Sequence, residues 1–417
     1  MTPRRKGNRR WKKQKQLNEG NDGEEVSADW AELPHVILQV IFEQLPLLDC
    51  ISVSDVCKSW RGVFAQETSC WGSLGFPSLL VSGQKNRKMR TCISMIEKRA
   101  WEMELPEARG KYCWGSFQDW LILVSEIRCF SLDISLLNPF TKRKIDLPVT
   151  WNFYHKMVLS GIPSMQKFVC MLVHGQCGEL AFWVPGAQSW HPYKLVDEPF
   201  EDAVFCNGSF YLLSKDYNIW QIDATTVLAA ISGDDSSTVV PPSEIKRQFH
   251  EINMLQTHTN GGVLRYLVES CSNILLVCRF FSTKPTAALE TENFEVHMLD
   301  IDQMSWKKVD NLGDRVLFLG KCCARSFSSR ELGVNISNCI YFSNDHPSPW
   351  WNEWDSTHLI GLSSRLGLNN TDRKDWGVFT LDNGKNGNFC FRGNRDNWPP
   401  IWFTAPIWWY CRKFALN

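Results

Sequence analysis

Catalytic signatures are what this chain has least of. It contains no H-E-x-x-H zinc motif, no G-x-S-x-G elbow, no G-x-x-x-x-G-K-[ST] phosphate loop and no G-x-G-x-x-G opening a helix. None of its nine histidines is paired at i, i+3 or i, i+4, and none of its sixteen cysteines forms a C-x-x-C pair. Cys322-Cys323 is adjacent rather than spaced for tetrahedral zinc. The stretch beginning Asp382-Asn383-Gly384 starts like a calcium loop. It has Gly384 at the third ligand position and Gly393 at the twelfth, so a hairpin turn is the better reading. The expectation is a non-enzyme with no cofactor and no metal.

Long apolar runs are also missing. The longest, such as residues 121–124 and 274–278, are of strand length, far short of the ~20 residues that a membrane span needs. No apolar stretch follows the N-terminal charges, so neither a secretory signal nor a first span is expected. The expected location is the nucleus and/or cytoplasm, where the cysteines serve as reduced, buried small hydrophobes. A basic body is lacking too. Eight basic residues (Arg4, Arg5, Lys6, Arg9, Arg10, Lys12, Lys13, Lys15) precede Glu19, which leaves 37 basic against 45 acidic residues beyond position 15. That balance argues against a nucleic-acid partner. The leader, residues 1–29, has no hydrophobic periodicity and reads as disordered. Its two basic clusters suit nuclear import and equally a solvated tail.

What the chain has in excess is aromatic surface, with 20 Trp among 417 residues. Many sit in short runs that favour an all-β core. The exception lies near the start. Apolar side chains at Leu33, Ile37, Ile41 and Leu45, widened by Leu38 and Phe42, keep helical spacing. Pro34 falls in the first turn, where its missing N–H is harmless. Pro46 breaks this helix, and Val53, Val56, Cys57, Trp60 and Phe64 resume the spacing. This order of features resembles an F-box. The resemblance implies a Skp1-like adaptor as partner and, through it, cullin. It also implies adaptor-contacting or helix-packing roles for Leu33, Pro34, Leu38, Ile41, Phe42, Val56, Cys57 and Trp60, and the two roles are not separable here.

Residues 71–103 mix charge with scattered aromatics and read as a linker between the F-box (30–70) and the rest of the chain. After Leu105 the period changes to two, punctuated by Pro, Gly, Asn and Asp. Residues 180–186 lead to Trp190 and residues 295–300 lead to Trp306, each a strand, a polar turn and a second strand that begins with Trp. Asn207-Gly208-Ser209-Phe210-Tyr211 and Asn338-Cys339-Ile340-Tyr341 are similar strand starts, offset by one residue. Weak repeats of this kind suit β-propeller blades, and a two-sheet sandwich is the rival.

Leu137-Asn138-Pro139-Phe140-Thr141, Leu312-Gly313-Asp314-Arg315-Val316, Trp376-Gly377-Val378-Phe379 and Pro399-Pro400-Ile401-Trp402-Phe403 fall in an order similar to the plant KIB-type (DUF295) β-propeller domain found behind F-boxes. That resemblance implies a small all-α F-box module followed by a large all-β domain over residues 104–410, a propeller of six or seven blades. Asp119 departs from the Gly the family carries before Trp-Leu. Of two Trp clusters, Trp398, Trp402, Trp408 and Trp409 read as part of a ring-closing strand region. Trp350, Trp351 and Trp354, in a Pro-rich loop, read equally as packing or as target-binding residues. The resemblance implies the substrate-recognition subunit of an SCF (Skp, cullin, F-box) ubiquitin ligase, holding an unknown target protein. The alternatives are an adaptor-bound regulatory module outside a ligase and a small-molecule- or glycan-binding propeller.

Overall fold

The computed structural model describes residues 30–45, 53, 56–67, 77–81, 88–95, 98–128, 131–150, 154–165, 167–174, 178–195, 199–214, 217–232, 244–247, 263–281, 291–303, 305–332, 334–343, 375–382, 384–388 and 400–406. The leader and the tryptophans at 350, 351, 354, 398, 408 and 409 lie outside them.

Six sheets follow one another along the chain as the blades of a propeller. Blade one holds β1 (Pro77–Val81), β2 (Met89–Ser94) and β3 (Arg99–Glu104). Blade two holds β4 (Tyr112–Phe117), β5 (Trp120–Arg128), β6 (Ser131–Leu137) and β7 (Lys144–Asp146), and blade three holds β8 (Tyr154–Leu159), β9 (Cys170–His174), β10 (Glu179–Trp183) and β11 (His191–Lys194). Blade four comprises β12 (Phe200–Cys206), β13 (Ser209–Ser214), β14 (Ile219–Asp223) and β15 (Glu244–Arg247), and blade five comprises β16 (Val263–Ser270), β17 (Asn273–Phe281), β18 (Thr291–Asp300) and β19 (Ser305–Lys308). Blade six has five strands, β20 (Arg315–Leu319), β21 (Arg325–Ser328), β22 (Cys339–Phe342), β23 (Gly377–Thr380) and β24 (Lys385–Asn388), with β21 folded back from β20 and β22 parallel to β20. The last strand, β25 (Ile401–Thr404), pairs antiparallel with β1 as the fourth strand of blade one and packs beside β4. The expected role of residues 401–403 in closing the ring is therefore met.

The linker expected over residues 71–103 is corrected. Residues 77–81, 89–94 and 99–104 are strands of the closing blade. Arg90, which reads as a connector charge, is fully buried and donates from Nη2 to the Ala108 carbonyl at 3.2 Å. The Met89 carbonyl accepts from Arg90 Nη1 at 3.3 Å, and nothing in a sequence distinguishes a guanidinium buried in this way from a solvated one.

Each blade is covered by a neighbour on both faces, so central strands read as continuous apolar runs with sidedness hidden inside them. In β9, Cys170 and Leu172 pack toward blade two while Met171 and Val173 pack toward blade four. Strand β17 repeats the arrangement, with Ile274, Leu276 and Cys278 toward blade four and Leu275 and Val277 toward blade six. Outer strands such as β11 and β19 are half exposed, β11 in strict alternation. The repeated tryptophans have a shared task here. Trp190 Nε1 donates to the Pro148 carbonyl at 2.7 Å, and Trp306 Nε1 donates to the Tyr217 carbonyl at 3.4 Å. In each case an outer-strand indole ties its blade to the preceding one. The similar strand starts also share a cause, since Asn207 and Asn338 both take the left-handed conformation, with φ of 46° and 50°, which Asn tolerates. At the departure noted above, Gln118 carries the positive φ of 54°. Asp119 Oδ2 accepts from Asn138 Nδ2 at 2.7 Å.

Two interblade contacts, one polar and one steric, are tightly constrained. Arg279 is fully buried and donates to Thr291 Oγ1 (2.7 Å), the Ser343 carbonyl (2.8 Å) and Asp375 Oδ2 (2.9 Å). Its guanidinium stacks 4.6 Å from the Phe342 ring centroid. Replacing it by Met leaves Asp375 buried without its counter-charge. Urea unfolding is expected to show a loss of about 3–5 kcal/mol, and a loss below about 1 kcal/mol would mean the pair adds nothing net to stability. The second contact is steric. At Gly115 a Cβ would lie 2.5 Å from Cys322 Cβ and 2.6 Å from the Cys322 carbonyl oxygen, where the turn after β20 crosses onto β4. Gly115→Ala is expected to cost about 1–3 kcal/mol by the same assay.

Candidate functional site

The helical module is built from a 3-10 turn (Trp30–Glu32), α1 (His35–Gln44) and α2 (Lys58–Glu67). Pro34 stands just before α1 in extended conformation, and its carbonyl accepts from the N–H groups of Ile37 (2.9 Å) and Leu38 (3.1 Å). Cys57 performs the same service for α2, its Sγ accepting from Trp60 N at 3.5 Å. Trp60 Nε1 donates to the Trp30 carbonyl at 2.8 Å, which pins the 3-10 turn onto α2. Cys57 and Trp60 thus hold the module's shape.

The apolar stripe of α1 splits into two. Leu38 and Phe42 are fully buried and belong, with Val63 of α2, to the apolar cluster that also holds the closing blade. They are packing residues, and a partner could reach them only by unfolding the helix. Leu33 and Ile41 are half-buried, and Pro34 is exposed. On the other side of α1, Val36 (66%), Ile37 (47%) and Val40 (51%) face solvent, and Val56 (63%) and Trp30 (66%) are exposed near them in sequence. Among the described residues, these are five of the eight large exposed hydrophobics of the chain. Trp30, Val36, Ile37 and Val40 are absent from the sequence-derived set of contact residues, which holds Val56. The signal was present in a helix apolar on nearly all sides, which calls for cover on both faces.

The propeller offers a second candidate at one mouth of its central channel, a cavity of about 420 Å³. Its wall is formed by the inner strands β4, β8, β12 and β16 and by the Cys322-Cys323 turn leading into β21. Lys156 Nζ donates to Asp202 Oδ1, and Leu267 N donates to Asp202 Oδ2 at 2.6 Å. Burial raises the Asp202 carboxyl against the pull of these two donors. The thiols nearby are inert for the same reason, burial pushing those of Cys206 and Cys322 up to about 11. Of the ten described cysteines eight are buried, and none is disulfide-bonded. Among the described residues no three His, Cys, Asp or Glu side chains converge as a metal-binding group, and no helix is long and apolar enough to cross a membrane.

The tryptophans at 350, 351 and 354 lie outside the described residues. The residues on both sides of their segment are placed, however, because Ser343 and Asp375 are held by the same Arg279 guanidinium.

Comparison with known proteins agrees with this architecture. The family model "KIB1-4 beta-propeller" matches residues 92–380, and the model "F-box-like" matches residues 30–76. The F-box protein SKIP23 of Arabidopsis thaliana is 21% identical over 410 residues, covering 86% of this chain and 90% of its own. The F-box/kelch-repeat protein At1g57790 of the same plant is 23% identical over 362 residues, covering 84% and 91%. Among solved structures, TolB from Acinetobacter baumannii aligns at 10% identity with a TM-score of 0.38, over 82% of this chain and 70% of that one. With the propeller matched by one family model and the helices ahead of it by the other, the chain belongs to the KIB1-4 beta-propeller family and is a plant F-box protein.

Proposed function

We propose that this protein is the substrate-recognition subunit of an SCF ubiquitin ligase, non-catalytic in itself. The observation that carries the reading is the exposed apolar face of Val36, Ile37 and Val40 on α1 of a module that matches the F-box. A Skp1-like adaptor covers this face and links the chain to cullin. The propeller holds a target protein, with Trp350, Trp351 and Trp354 as contact residues, since Trp supplies large contact area at low entropic cost. Ubiquitin transfer is then accelerated by effective concentration, because target lysines are held near the charged conjugating enzyme. The basic leader delivers the protein to the nucleus as well as the cytoplasm.

Replacing Ile37 and Val40 together by Asp is expected to lower adaptor capture at least about tenfold, or roughly 1.4 kcal/mol, with circular dichroism unchanged. Unaltered capture would remove the docking assignment. Cullin recovered with the adaptor supports the ligase, whereas adaptor recovered without cullin supports a regulatory module outside it. For the target, proximity labelling under proteasome inhibition is expected to enrich proteins that the triple Trp350, Trp351 and Trp354 to Ala variant no longer labels. An identical labelled set would return those tryptophans to a packing role.

A further inference from the structure

The channel mouth contains a cation without a counter-charge. Arg325 opens β21, is half-buried and lines the cavity. Its Nη1 donates to Thr404 Oγ1 at 3.2 Å, and its guanidinium lies 5.0 Å from the Phe327 ring centroid. Of the three carboxylates that act on it from a distance, Glu269 lines the same cavity, and each has a hydrogen-bond donor of its own. Asp119 Oδ2 accepts from Asn138 Nδ2 (2.7 Å), and Glu269 Oε1 accepts from Ser272 N (2.9 Å). Glu331 Oε2 accepts from Arg315 Nη1 (3.2 Å) and Ser328 N (2.6 Å). Lys156, the other cation lining this space, is paired with Asp202. Among the described residues, Arg325 is the cation of the cavity with no carboxylate at ion-pair distance.

This is an expensive arrangement for a residue that stays charged at neutral pH. A guanidinium presents five N–H donors in a fixed fork, and here a single hydroxyl engages them. Burial outweighs the distant acids and lowers its pKa to about 10. An anionic group entering the cavity would meet donors already held in place, and charge-assisted bonds of this kind are about twice as strong as neutral ones. The surroundings fit the rest of a small molecule. A volume of about 420 Å³ lies within the ~300–1,000 Å³ range of ligand sites. Phe117, Ile162, Met165 and Phe205 supply an apolar border. Met165 is 58% exposed at its edge.

We infer that the channel mouth binds a small organic anion, its carboxylate or phosphate group on the Arg325 guanidinium and its apolar body against Phe117, Ile162, Met165 and Phe205. The site is separate from the helical face, so it stands whether or not the ligase reading does.

The test uses the full chain and follows its melting temperature with 4-phenylbutyrate, phenyl phosphate and the neutral 4-phenylbutyramide. The two anions are expected to raise the melting temperature at concentrations of about 1–10 mM, as binding to the native state requires, and the amide is not. The larger of the two shifts assigns the head group as carboxylate or phosphate. Arg325→Gln is expected to abolish the response while adaptor capture and circular dichroism stay unchanged. Met165→Glu, at an exposed position that the fold does not need, is expected to raise the anion concentration required by about tenfold or more through charge repulsion. Equal shifts with acid and amide, a full response in Arg325→Gln or Met165→Glu, or no shift with either anion would each overturn the inference.

Discussion

Everything in this molecule depends on four residues near one end pairing with four near the other. A ring of sheets has no stable open form of the same shape, because a gap would expose the faces of two blades at once. Strand β25 closes the gap by aligning Ile401–Thr404 against Pro77–Leu80 of β1. Trp402 makes the closure three-sided. Its backbone N–H donates to Cys323 Sγ at 3.2 Å, its indole donates to the Leu319 carbonyl at 2.8 Å, and its carbonyl accepts from Ser116. Blades six, one and two are thereby joined through one residue, which is itself almost wholly buried.

The rest of the propeller follows from two-sided burial. A blade must satisfy two neighbours, so its central strands are largely apolar, and charges buried between blades are matched by a counter-charge in two places. These are Arg279 with Asp375 and Lys156 with Asp202. Arg325 breaks the pattern by facing open space. It does so because β21 is folded back from β20, which brings the Cys322-Cys323 turn and the residues after it to the channel mouth.

Much of this was legible in the residues, and the misses have physical causes. The period of two, the Trp190 and Trp306 marks and the closing run at 401–403 all correspond to real elements, since each reflects a local rule repeated from blade to blade. The first blade was not legible because its evidence is split. Three of its strands lie beside the helical module and the fourth lies at the opposite end of the chain. Arg90 added a misleading charge, as no side-chain pattern encodes the Met89 and Ala108 carbonyls that accept from it. Blade six hid the blade count, because β21 is an extra strand and a short helix, Ser329–Leu332, intervenes before β22. In the helical module, the stripe of α1 was visible but its division was not. Leu38 and Val36 are equally apolar as letters, and only packing against α2 and the closing blade assigns one inward and the other outward.

The position of β25 also sets an order in time. During synthesis the helices carrying Val36, Ile37 and Val40 emerge first, and the strand that completes the ring emerges last. The exposed helical face is therefore made while the propeller is still an incomplete arc, and Leu38, Phe42 and Val63 gain their full cover only when β25 arrives. A chain interrupted before Ile401 lacks both the closing strand and part of the cluster under the helices, so under the proposed function completion of the ring, and not helix formation alone, decides whether an occupied adaptor is a working one.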